Sequence, residues 1–86
     1  MPKVFFYFPD EEATNLSLDM DTIPRQGEDI RFQGITRDNF EESKGYEKFR
    51  FEEYGFRSWK ASLITWYIEG VSYKVFIDLK ETKDAV

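Results

Sequence analysis

Residues 64–80 read ITWYIEGVSYKVFIDLK, two runs of β-branched and aromatic residues joined at Glu69-Gly70. Ile64, Trp66 and Ile68 alternate with Leu63, Thr65 and Tyr67. After the glycine, Val71, Tyr73, Val75, Ile77 and Leu79 alternate with Ser72, Lys74, Phe76, Asp78 and Lys80. A period of two with this composition is the signature of paired strands, and a tight turn at Glu69-Gly70 makes them a hairpin. Trp66, flanked on its face by Ile64 and Ile68, is expected to be a core residue.

The same pattern extends toward the N-terminus. KVFFYF at 3–8 is apolar on both faces, with Val4, Phe6 and Phe8 on one side and Phe5 and Tyr7 on the other, before Pro9 and a polar stretch. Leu16, Leu18 and Met20 alternate with Ser17, Asp19 and Asp21, as in a half-buried strand. Pro24 and Gly27 mark a loop, and Ile30 and Phe32 alternate with Asp29 and Arg31 in a third strand over about 28–33. The long run 56–69 leads without proline or glycine into the hairpin.

The middle, 34–55, admits two readings. In one, Asp38 or Asn39 caps a short helix near 38–44 that stops at Gly45, and Phe49 and Phe51 then alternate in a short strand ending at Tyr54-Gly55. In the other, the segment is a single exposed, mobile insertion. Five to six strands with short turns and no strand–helix–strand spacing predict a mainly β (or α+β) single domain over 1–86, with a mostly antiparallel sheet. One apolar face of such a sheet would be bare, so it must curl into a small barrel, fold over as a sandwich, or be covered by the middle segment. A curled sheet or SH3-like barrel is the favoured expectation.

A chain of 86 residues builds one modest core and buries only about 60–65% of its unfolded surface. Nine phenylalanines, five tyrosines and two tryptophans supply that core, since each ring buries about 150–250 Å². There is no cysteine, which excludes disulfides, thiolate metal sites and cysteine nucleophiles. There is no histidine, which removes the commonest acid/base group near neutral pH and the commonest transition-metal ligand. The start MPKVFFYFPDEE has too short an apolar run for a signal peptide, and no stretch reaches the roughly 20 apolar residues of a membrane helix. A cytoplasmic protein with no membrane partner is expected.

The segment from Leu16 to Phe32, LSLDMDTIPRQGEDIRF, followed by a strand ending ITWYIE and a strand KVFIDLK, resembles a loosely defined group of small β-rich proteins from bacteria and their phages. In that group an IPRxGE turn precedes a strand, and a V/I-x-W strand pairs with a final V-x-V-x-L strand. The resemblance covers about half of the chain and makes 34–56 an insertion in a turn. It implies a phage or mobile-element origin, and it carries over no functional residue because the group has no assigned chemistry.

Acidic pairs are the candidate sites for catalysis or metal: Asp10-Glu11-Glu12, Asp19 with Asp21, Glu41-Glu42 and Glu52-Glu53. None has the spacing of a calcium loop. Asp19 and Asp21, two apart on a polar strand face, are the pair best placed to share a hard cation. A two-carboxylate hydrolase would need a cleft that so short a chain hardly walls. The serines and threonines have no histidine to activate them, and no glycine-rich phosphate cradle occurs. No catalytic residue, metal or cofactor is expected.

The aromatic surplus remains. If the faces above make the core, Phe5, Tyr7, Trp59, Tyr67 and Phe76 lie on the opposite face. There they either form a second small core under 34–56 or stand exposed as a partner-binding surface. Twelve basic against seventeen acidic side chains give a net charge of −5, and Lys44, Lys48, Arg50, Arg57 and Lys60 are interleaved with Glu47, Glu52 and Glu53. A phosphate backbone gains little from such a surface. The expected function is therefore a non-enzymatic acidic interaction module that binds another protein or self-associates. The alternatives are a single-stranded nucleic-acid binder using the aromatic face and a carboxylate-based enzyme or metal site.

Overall fold

The computed structural model describes residues 3–9 and 16–82; the acidic run at 10–12 and the tail at 83–86 lie outside the described residues. The described residues form five strands, β1 (Lys3–Tyr7), β2 (Leu16–Asp19), β3 (Asp29–Ile30), β4 (Trp59–Glu69) and β5 (Ser72–Glu81). One helix, α1 (Ser43–Phe51), lies between β3 and β4, with short 3-10 turns at Arg37–Asn39 and Tyr54–Phe56. The sheet order is β2-β1-β5-β4-β3. The protein is mainly β, a five-strand mixed sheet curled into a half-barrel.

The pairings β1–β2, β4–β5 and β3–β4 are antiparallel, as expected, but β1 runs parallel to β5, with Phe5 opposite Phe76 and Phe6 opposite Ile77. β1 lies inside the sheet, between β2 and β5, a central position consistent with its apolar residues on both faces. The β4–β5 loop is one residue later than the sequence indicates. Glu69 pairs with Ser72 across Gly70-Val71, and Gly70 takes a positive φ of 58°. Glycine at the first loop position with positive φ matches the type II′ turn, whose twist suits a hairpin.

The core lies on one side of the sheet. Val4, Phe6, Phe8, Leu16, Val75, Ile77 and Leu79 point into it from the strands, and Phe32, Phe40, Phe49 and Tyr54 close over them from the middle of the chain. Phe8 is the hub, with ring centroids 4.8 Å from Tyr54, 5.0 Å from Trp59, 5.6 Å from Phe32 and 5.9 Å from Phe49. The open face of the sheet is thus covered by the middle segment.

Several local expectations are corrected. The helix spans 43–51 rather than 38–44, and Gly45 lies inside it rather than at its end. A Cβ at Gly45 would sit 3.1 Å from Phe40 Cδ1, so the bare glycine lets that ring pack against the helix. The strand expected at Phe49 and Phe51 is part of this helix: Phe49, four residues after Gly45, is buried with it, whereas Phe51 is 82% exposed. Residues two apart on a helix point to nearly opposite sides, so alternation misled here. Lys48 pairs with Glu52 at 3.1 Å on the helix surface, and the chain leaves through Glu53 at φ 54°. The third strand is only Asp29–Ile30, although Phe32 is buried as its alternation required. The last long run enters the sheet only at Trp59, and Phe56 before it is exposed.

The two tryptophans exchange their expected roles. Trp59, assigned to the outer face, is 1% exposed, and its Nε1–H donates to the Tyr54 carbonyl at 3.0 Å. The cause is a register shift between Ala61 and Leu63, where one extra residue in β4 inverts the alternation. Trp59 and Ala61 therefore share the core face with Ile64 and Trp66. Trp66 does share a face with Ile64 and Ile68, but the hairpin runs past the end of the cover and leaves it 51% exposed.

Candidate functional site

Four of the five aromatic residues assigned to the outer face meet there. Phe76 of β5 is the centre. Phe5 stacks on it at 5.1 Å and 18°, Tyr7 at 5.7 Å and 20°, and Tyr67 meets it edge-on at 6.4 Å. The sheet dictates this row, since the parallel register sets Phe5 beside Phe76 and the antiparallel register sets Thr65 on its other flank, two residues from Tyr67. Phe5, Tyr7 and Phe76 are half-buried, and Tyr67 is 54% exposed. The fifth, Trp59, is in the core. The covering segment packs on the opposite side, so among the described residues these rings do not form a second core beneath it.

Charge around the row is mixed. By strand parity Lys3, Lys74, Lys80 and, before the register shift, Lys60 share the outer face with Asp19, Asp78 and Glu69. Tyr7 lies opposite Asp78. Partial burial, and then the carboxylates of Asp78 and Glu41, hold the Tyr7 phenol above its ordinary pKa, because each disfavours the phenolate. The basic residues between 44 and 60 are partly neutralised: Arg57 pairs with Glu81 at 3.2 Å and with Glu52 at 4.0 Å, and Lys60 with Asp29 at 3.8 Å. Arg50 and Arg37 instead lie over the Tyr46 ring, at 5.9 and 5.6 Å.

The hairpin exposes further apolar side chains, of which Trp66, Ile68, Val71 and Tyr73 lie on the faces that alternation assigned to the core. Beyond the cover, Trp66, Ile68 and Tyr73 occupy the core-side face, with the Trp66 and Tyr73 rings 5.5 Å apart, while Leu63 and Tyr67 occupy the outer face. Val71 at the tip is fully exposed. The described part of β1 pairs with β5 over Lys74–Asp78 and β3 pairs with β4 at Trp59 and Lys60, so the loop ends of β4 and β5, strands of eleven and ten residues, extend past both.

Elsewhere, a cleft of about 590 Å³ opens between the 32–35 loop and α1, floored by Phe32 and Phe49 and flanked by Ile35 and Phe56. Arg50 and Glu53 are its only charged lining residues among those described. β2 ends at Asp19, so Asp21 is not its neighbour on a strand face, and no group of three or more ligating side chains converges among the described residues. No described helix is long and apolar enough to cross a membrane. Compared with protein-family models, with curated proteins and with solved structures, the chain matches none of them.

Proposed function

We propose that the protein is an acidic interaction module without catalytic chemistry of its own, and that the β4–β5 hairpin is its contact surface for another protein or for a second copy of itself. The observation that carries this reading is the exposure of Leu63, Trp66, Tyr67, Ile68, Val71 and Tyr73 on one projecting element. A cluster of large apolar side chains, including aromatic ones, on a small chain is the composition of a binding surface rather than of ordinary solvent-facing sheet. The net charge of −5 adds a preference for a basic partner, which charge complementarity would draw in faster.

One observation favours a second reading. The Phe5–Phe76–Tyr7–Tyr67 row carries lysines at both ends of its face, an arrangement on which bases of a single strand can stack at about 1–3 kcal/mol each. Fluorescence anisotropy with labelled single-stranded and duplex oligonucleotides at low salt separates the two. The protein reading expects no binding at micromolar concentrations, and capture from host lysate of a protein that Val71→Asp no longer retains. Salt-sensitive oligonucleotide binding, abolished by Phe76→Ser, would establish the second reading instead.

A further inference from the structure

The outer edge of β4 is paired only at its beginning. Asp29 and Ile30 of β3 pair with Lys60 and Trp59, and Ala61 exchanges hydrogen bonds with the backbone of Gly27 and Glu28 at 2.8 and 3.0 Å. From Leu63 to Glu69, seven residues of continuous strand, no described segment pairs with that edge. Natural sheets blunt such edges with charge, proline or short strands. Here 63–68 reads LITWYI, with no charge, proline or glycine.

We propose that this edge pairs with the same edge of a second copy, antiparallel about a two-fold axis at Trp66, so that two half-barrels join into one continuous ten-stranded sheet. The inference rests on the reading of the hairpin as a contact surface and specifies both the occupant and the register.

The hydrogen-bonding pattern selects that register. Glu69 and Ser72 flank a two-residue loop, so they exchange both backbone hydrogen bonds, and bonded and non-bonded pairs then alternate along the hairpin. Leu63, Thr65, Tyr67 and Glu69 turn their N–H and C=O groups toward β5, while Ile64, Trp66 and Ile68 turn theirs to the open edge. Two such edges satisfy one another when Trp66 faces the partner's Trp66 and Ile64 faces the partner's Ile68. Trp66 is also the midpoint of the free run. Each copy's strand therefore ends where the other copy's β3 begins, and no backbone is displaced.

Side chains agree with this placement. Tyr67 falls opposite the partner's Thr65, an aromatic–β-branched pair of the kind that stabilises sheets. Glu69 falls opposite the partner's Leu63, one step along the outer face from the partner's Lys60, and the symmetry makes this complement twice. The uncharged run keeps the repulsion between two chains of net charge −5 away from the contact. The interface is one strand pair with its flanking rings, so it belongs to the small class, and a Kd of order micromolar is expected.

The chain has no cysteine, so single-cysteine variants give clean reports. In a hydrogen-bonded antiparallel pair the Cα atoms lie about 5.5 Å apart, within the span of a disulfide. Mild oxidation of Trp66→Cys should yield a linked dimer much faster than oxidation of Val71→Cys, which is at least as exposed but far from the axis. Sedimentation should show concentration-dependent dimerisation of the wild type, weakened at least tenfold by Ile68→Lys while circular dichroism stays unchanged. A wild type that is monomeric at hundreds of micromolar, or a dimer indifferent to Ile68→Lys, overturns the proposal. If that monomer still captures a protein that Val71→Asp loses, self-pairing has failed and the contact-surface reading has not. If it captures none, both have failed.

Discussion

Trp59→Ala should cost this protein most of its stability, and Trp66→Ala little of it. Trp59 is enclosed by Phe8 at 5.0 Å and Tyr54 at 5.5 Å, and its indole N–H is hydrogen-bonded to the Tyr54 carbonyl. Truncating a buried tryptophan costs about 3–5 kcal/mol. A folded domain of 86 residues has roughly 4–13 kcal/mol in total, so this variant should be near or beyond its folding limit at room temperature. Trp66 keeps 51% of its surface in water. Half of the roughly 150–250 Å² that a buried tryptophan removes from water, at about 25 cal/mol/Å², sets a ceiling of about 2–3 kcal/mol. Residual burial in the unfolded chain lowers that ceiling by roughly a further 10–40%. Trp59→Phe keeps a ring and removes the indole hydrogen bond, but the Tyr54 carbonyl still accepts from the Arg57 N–H at 3.2 Å, so losing that bond should cost only about 0.5–1.5 kcal/mol. Urea denaturation followed by far-ultraviolet circular dichroism, at a concentration low enough to keep the chain monomeric, measures all three. A Trp66→Ala variant as destabilised as Trp59→Ala would refute both the register shift at Ala61–Leu63 and the placement of the two indoles.

Three further outcomes follow from the geometry. Glu53 leaves α1 with φ 54°, where a side chain costs roughly 1–2 kcal/mol, so Glu53→Gly should raise the urea midpoint and Glu53→Val should lower it. The raised pKa of Tyr7 means that the folded state holds the phenolic proton more tightly than the unfolded chain does. The associated stability is fully present below the unfolded tyrosine value and is lost as pH rises through the folded one. Melting temperature should therefore fall more steeply in alkali for the wild type than for Tyr7→Phe, and parallel curves would remove Asp78, Glu41 and burial as the cause. Finally, hydrogen exchange should protect the last turns of α1, anchored by Phe49, better than the exposed 33–39 stretch, though less than the central strand β5. Uniformly fast exchange across 34–55 would show that the cover opens independently of the sheet.

Much of the sheet is legible in the sequence because a strand's side chains alternate by geometry alone. Val4, Phe6 and Phe8, and likewise Val75, Ile77 and Leu79, must share a face wherever the strand is placed. The same rule carried Phe5, Tyr7, Tyr67 and Phe76 to one surface. Only the tertiary structure decided what alternation does not encode. A single extra residue near Ser62 inverts the parity of everything before it, which moved Trp59 from the surface to the core. Pairing of β1 with β5 depends on contacts between the two ends of the chain, and no local pattern records it. Phe49 and Phe51 alternate as strand residues do, and what accompanies the helix instead is the fit of Phe40 against Gly45 and of Phe49 against Phe8, the latter a contact that exists only once the sheet is there to be covered. The exposure of Trp66 follows from where that cover stops, because burial belongs to the assembled molecule and not to a residue's hydrophobicity.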